Sequence, residues 1–241
     1  MIEKYLPITS SANPKYKEIY AVKDSGKKMG LILVEGEDLV DLAILNKKLK
    51  KVVVLEYMYK YADYDQVVFS RELYRTLSSY NSLPKVIGIA SFELSEALSD
   101  QIVYLDGIQD PGNLGTIMRS CVAFGFKTVI LSKDSVSPFN FKAVQASKGS
   151  IFSLDINYMS LSELKDKGYK VVMTLLDGED ISKVSKPSGK FALVIGNEGK
   201  GIRKENIPLA DYKVLLPINP QIDSLNAAIA ASIVMFLWRI V

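Results

Sequence analysis

Apolar residues run along this chain in short continuous stretches, broken by polar, glycine-bearing or proline-bearing segments, and the stretches fall into two groups. In the first group Leu31–Val34 reads as a strand. The following EGEDLVDLAI places Leu39, Val40, Leu42 and Ala43 at helical spacing. Lys51–Leu55, Val67–Phe69 and Val86–Ala90 read as further strands, and residues 71–80 as a helix. Ahead of them, residues 1–28 are polar and lysine-rich and are assigned no element. Strands alternating with helices over about 95 residues predict a small α/β domain, residues 1–95.

Residues 92–101 (FELSEALSDQ) read as a linker, and the pattern restarts more strongly over 100–241. Ile102–Leu105 is a buried-type strand, and Asp106–Gly112 a turn-rich loop. Leu114, Ile117, Met118, Cys121 and Val122 then recur at the spacing of an amphipathic helix. Strands are predicted at 128–131, 151–154, 171–175, 191–195 and 213–216, with helices at 140–147, 160–167 and 223–238. Such a series argues for a mostly parallel sheet with helices on both faces. Ligands bind such sheets at the carboxyl ends of the strands. The most apolar stretch, Leu225–Trp238, is shorter than the ~20 residues a membrane span needs, and it reads as a buried core helix. The N-terminus shows no signal-peptide pattern, so a cytoplasmic protein is expected.

Composition narrows the chemistry. Of 241 residues, 48% are hydrophobic and 24% charged, which excludes disordered and collagen-like classes. A net charge of +3 allows nucleic-acid binding without requiring it. The chain has no histidine, so Ser–His hydrolysis, a histidine base and histidine-ligated zinc are all excluded. Its single cysteine, Cys121, excludes an internal disulfide and any CxxC site. No metal is expected.

Three loops at predicted strand ends remain. In Asp106–Arg119 (DGIQDPGNLGTIMR), Pro111 and Gly112 make a turn and Asn113 is placed as the helix N-cap. Gly115 leaves room in the first turn, and Arg119 lies four residues on, away from the apolar stripe. A capped helix with a surface arginine accounts for the same residues. In Val194–Ile202 (VIGNEGKGI), Gly196, Gly199 and Gly201 let backbone groups face a ligand. The spacing fits neither a P-loop nor a dinucleotide fingerprint. Glu198 there also reads as an ordinary helix N-terminal carboxylate. In Leu215–Ser232, Pro217 and Pro220 stiffen a loop, and Asp223 or Ser224 is expected to cap an alanine-rich helix. Asn226 would then sit in that helix's first turn, a poor place for it by propensity.

In this order the three loops resemble the signature motifs of the SpoU (TrmH-like) RNA ribose methyltransferases of the SPOUT superfamily. The N-x-G-x-x-x-R motif falls on Asn113, Gly115 and Arg119, G-N-E-G on Gly196–Gly199, and S-L-N on Ser224–Asn226. A weaker likeness, in ITSSANPKYK and LVEGEDLV, extends over residues 1–95 as a substrate-binding domain. The resemblance implies a C-terminal trefoil knot that holds S-adenosylmethionine, and a homodimer whose sites draw on both subunits. It implies cofactor contacts at Thr174, Leu175, Gly196, Asn197, Gly199, Leu216, Ile218, Ser224, Leu225 and Asn226. It gives Arg119, Asn113 and Glu198 the catalytic roles, and Lys15, Lys27, Lys28 and Ser147 the RNA contacts, with Tyr5, Tyr16 and Tyr20 for stacking. A solvated charged face explains the lysines equally well.

The implied reaction moves a methyl group to a ribose 2′-OH, most of all in 23S ribosomal RNA, with transfer RNA as the alternative. A non-catalytic RNA-binding protein of the same fold is a further reading. The sequence departs from the family at Gln145, where relatives carry arginine before Ala146, Ser147 and Gly149, and at Gly26-Lys27-Lys28.

Overall fold

The computed structural model describes residues 6–79 and 81–240. They form two compact units, one drawn from Met1–Glu93 and Phe139–Phe152, the other from Leu94–Pro138 and Ser153–Val241. The first unit therefore takes back a short segment that the sequence reading assigns to residues 100–241.

The chain opens with a helix the hydrophobic pattern does not reveal, α1 (Pro14–Met29). Its local signals are complete: Asn13 accepts from the Lys15 N–H, Pro14 occupies the first turn, and Gly30 closes the helix at φ 63°. Only Tyr16, Ile19, Val22 and Gly26 are buried along it. β1 (Leu31–Glu35), α2 (Glu37–Leu45), β2 (Leu49–Val54), β3 (Asp65–Val68), α3 (Arg71–Leu77) and β4 (Val86–Ser91) follow. The strands form a mixed sheet in the order β1-β4-β2-β3.

β5 (Gln101–Asp106), α4 (Pro111–Ala123) and β6 (Thr128–Leu131) begin the second unit. α5 (Phe141–Ser147) belongs to the first unit, and β7 (Asp155–Tyr158), α6 (Leu161–Asp166), β8 (Lys170–Asp180), β9 (Phe191–Gly196), β10 (Tyr212–Leu215) and α7 (Ala227–Leu237) complete the second. Its six strands pair only in parallel, in the order β10-β8-β9-β5-β6-β7. Leu161 and Leu164 of α6 cluster on one face with Ile102, Tyr104, Met173 and Val194. α7 lies along α4, with Ser120 and Ser232 hydroxyls 2.7 Å apart and Cys121 Sγ 3.7 Å from Met235 Sδ.

Three expectations change. The strand expected at 151–154 is a short 3-10 turn, and the strand begins four residues later at Asp155. Ile151 and Phe152 belong to the first unit, so their apolar run buries there and not in the parallel sheet. The helix expected from 223 starts only at Ala227. That helix is also not fully buried. Ala227, Ala228, Ala231, Val234 and Met235 face the protein, while Ile229, Ile233, Phe236 and Leu237 are exposed. Among the described residues no helix is long and apolar enough to cross a membrane.

Gln145 of α5 is buried, and its side chain works as a piece of backbone. Nε2 donates to Leu33 O (3.1 Å), and Oε1 accepts from the Glu35 N–H (3.2 Å). An amide thus satisfies the open edge of β1, which no strand among the described residues covers.

Candidate active site

The middle of β8 and the carboxyl ends of β9 and β10 border a cavity of about 350 Å³ in the second unit. Thr174, Leu175, Gly196, Asn197, Gly199, Leu216, Ile218, Ser224 and Leu225 all line it. Asn226, expected with them, does not. The sequence reading does not pick out Leu176, Lys200, Ile202 and Ala230, which also form the wall. Their only signal is proximity to the motifs, since an apolar wall residue looks like any core residue in sequence.

The floor is built by strand pairing. Gly196 ends β9 opposite Asp106 of β5, and Thr174 Oγ1 donates to Val194 O at 3.1 Å. Beyond Gly196 the chain doubles back, with Asn197 and Gly201 exchanging backbone hydrogen bonds of 3.0 Å. A side chain at Gly196 would collide with the backbone of Gly201 and Ile202, so only glycine permits this close return. Asn197 Oδ1 accepts from the N–H groups of Gly199 and Lys200, and its Nδ2 donates to Gly107 O at 2.7 Å.

One hydrogen-bonded chain links all three motifs. Asn226 Nδ2 donates to Asn113 Oδ1 (2.9 Å), and Asn113 Nδ2 donates to Glu198 Oε1 (2.9 Å). The Glu198 carboxylate also accepts from the N–H groups of Gln109 (3.3 Å) and Asp110 (3.2 Å) and from Asn197 Nδ2 (3.3 Å). Partial burial raises its proton affinity, but the donors, Asn113 first, outweigh that and hold its carboxyl below the usual range. Glu198 sits in a turn, not at the start of its own helix; it faces the start of α4.

The capping roles also shift. Asp110, not Asn113, caps α4, its Oδ1 accepting from Asn113 N at 2.7 Å. That places Asn113 inside the first turn with its side chain free to link the other two loops. Asn226, not Asp223 or Ser224, caps α7, accepting from Ala228 and Ile229 N–H groups.

Other candidates lie apart. Arg119 is exposed on α4 and not on the cavity wall. Lys15, Lys27 and Lys28 are exposed in the first unit. Ser147 is fully buried, with its hydroxyl donating to Val144 O at 2.7 Å, so it offers nothing to RNA. Tyr16 is buried too, bonded to Thr76 and stacked on the more exposed Tyr20. Tyr5 lies outside the described residues.

The second unit is thus a parallel α/β fold with a cavity beside its strands, over a loop framework of glycine, asparagine and one carboxylate. The model for the SpoU rRNA methylase family matches residues 100–236, and the chain belongs to that family. It is 28% identical to the 23S rRNA (guanosine(2553)-2′-O)-methyltransferase RlmP of Bacillus subtilis, over 96% of this chain and 98% of that one. The AdoMet-bound rRNA methyltransferase from Sinorhizobium meliloti is 27% identical, with a TM-score of 0.82 over 96% of each chain. The methyltransferase AviRb from Streptomyces viridochromogenes, 24% identical, shares the fold at a TM-score of 0.82, over 93% of this chain and 96% of that one.

Proposed function

We propose that the protein is an S-adenosylmethionine-dependent methyltransferase acting on a ribose 2′-OH of 23S ribosomal RNA, as a homodimer. The observation that carries this reading is the cavity, lined by all but Asn226 of the cofactor residues that the resemblance implies. Its residues fit the cofactor. Leucine, isoleucine and alanine side chains give an apolar wall for a purine and a thioether stem, backbone groups at the strand ends offer polar contacts, and Lys200 supplies a cation. When bound, S-adenosylmethionine supplies a methyl group already activated by its positively charged sulfur.

The protein's own residues must then place the hydroxyl and stabilise the charge it develops. Glu198 is a poor base, because hydrogen-bond donors occupy its oxygens and hold its carboxyl low. It positions the first motif against the second. A guanidinium, with a pKa above ~12, is no base either. Arg119 holds the ribose or its phosphate and stabilises developing alkoxide charge, while the proton leaves to water.

Arg119 reaches such a site from a second copy of the chain. It shares a face of α4 with the exposed Val122, beside α7, whose Ile229, Ile233, Phe236 and Leu237 form an uncovered apolar stripe. An isologous dimer burying that stripe carries Arg119 towards the partner's cavity. The exposed Lys15, Lys27 and Lys28 bind substrate phosphates. We propose, on the family resemblance, that the segment from β10 to α7 is threaded as a trefoil knot.

Transfer from labelled S-adenosylmethionine into ribosomal RNA lacking the modification tests the reading. Label in an alkali-resistant, 2′-O-methylated nucleotide of the large-subunit RNA is expected. Label in a base, or only in transfer RNA, contradicts it.

A further inference from the structure

Asp106 is a fully buried carboxylate that takes no part in the chemistry above. It ends β5, opposite Gly196 of β9. Its Oδ2 accepts from the backbone N–H of Arg203 (2.9 Å) and from Asn206 Nδ2 (3.0 Å), and its Oδ1 from Arg203 Nε and Nη2 (2.6 Å each). The same guanidinium reaches outward to Asp134 Oδ1 at 3.2 Å, which Ser132 Oγ holds at 2.6 Å. Arg203 directly follows the doubled-back loop, residues 196–202, that forms one wall of the cavity. The loop is thus fastened at its start by Asn197 to Gly107 O and at its end by Arg203 to Asp106.

We infer that Arg203 is a positioning residue for the cofactor: it has no place on the cavity wall, and it fixes the loop that does. Two charge-assisted contacts from one guanidinium to Oδ1, with the Arg203 backbone N–H on Oδ2, make a strong tether for a loop of glycines, because the carboxylate is sealed from water. It also neutralises Asp106, whose charge would otherwise be stranded in the sheet. The energetic effect is pre-organisation. A loop that is binding-competent in only about a tenth of molecules weakens apparent affinity about tenfold. Loss of the clamp therefore raises KM for the cofactor far more than it lowers kcat.

This inference rests on the cofactor reading of the cavity, and the two fail differently. If the wild-type chain does not bind S-adenosylmethionine, that reading fails. The clamp is tested separately, without ligand, by amide hydrogen exchange over residues 197–202 in the wild type, Arg203→Ala, Arg203→Lys and Asp134→Ala. Faster exchange in Arg203→Ala, partly restored in Arg203→Lys and intermediate in Asp134→Ala, is expected. Calorimetry should then give cofactor affinity reduced about tenfold in Arg203→Ala with RNA affinity unchanged. Wild-type exchange and cofactor affinity in the alanine variant would overturn the inference. So would a fall in kcat with KM unmoved. If Arg203→Ala does not fold, the lysine variant and Asp134→Ala decide. Asp134 is half exposed, and its loss leaves the Asp106 contact intact.

Discussion

Asn226 does two things with one side chain: its oxygen caps α7 and its amide nitrogen reaches Asn113. The sequence marks this residue as anomalous, an asparagine where helix propensity disfavours one. It does not show that the helix starts only at Ala227, which turns the anomaly into a cap. Asn113 is displaced in the opposite sense, since Asp110 takes the cap. Sequence shows which residue types matter here, and only the cap register shows how they connect. Asn226→Ala removes a cap worth about 1 kcal/mol and a link between loops. Cofactor affinity measured by calorimetry should fall several-fold, whereas Arg119→Ala should abolish methyl transfer and leave that affinity as it is. Transfer at the normal rate by Arg119→Ala would contradict its role. Glu198 gives a pH signature. Its folded pKa lies below the ordinary 4.5, so its stabilisation of the loops is complete above that pH and is lost as pH falls through the lower folded value. NMR titration of the carboxyl carbon should place its midpoint below 4.5; a midpoint above that value contradicts the network.

Among the elements, the strands of both sheets are mostly legible, because strands buried on both faces read as continuous apolar runs. α1 is not, since its buried positions are few and separated by lysines; the Asn-Pro start at Asn13 and the Gly30 stop are the readable signals. β7 is misplaced because an apolar run says that a segment is buried but not in which unit. Gln145 belongs to this scale. Where the family resemblance puts an arginine, this chain has an amide that closes the edge of β1. Gln145→Ala leaves a buried N–H and C=O unpaired, which costs roughly 1–3 kcal/mol each. Denaturant unfolding should show that loss in the first unit with no change in cofactor affinity. An unchanged midpoint would mean that the edge finds other partners.

For the molecule as a whole, the proposed association and threading leave no signature in the hydrophobic pattern. A helix with apolar residues all round reads as buried core, and only the structure shows that Ile229, Ile233, Phe236 and Leu237 of α7 are exposed. On the proposed dimer, Ile233→Asp should give monomers in sedimentation and abolish transfer. A variant that remains dimeric would remove the apolar stripe from the account. Strand order is equally invisible to periodicity, since a knotted and an unknotted parallel sheet share one pattern of apolar runs.

Cofactor binding to the intact chain is the most direct test of the central claim, that the cavity bordered by β8, β9 and β10 is the methyl-donor site. Calorimetric titration of S-adenosylmethionine into the wild type and into Ala230→Phe, which fills the cavity from α7, compares an open and a blocked site. One site per chain in the wild type, with affinity lost in Ala230→Phe at an unchanged thermal midpoint, is the predicted result. No binding to the wild type, or equal binding to both, would contradict it.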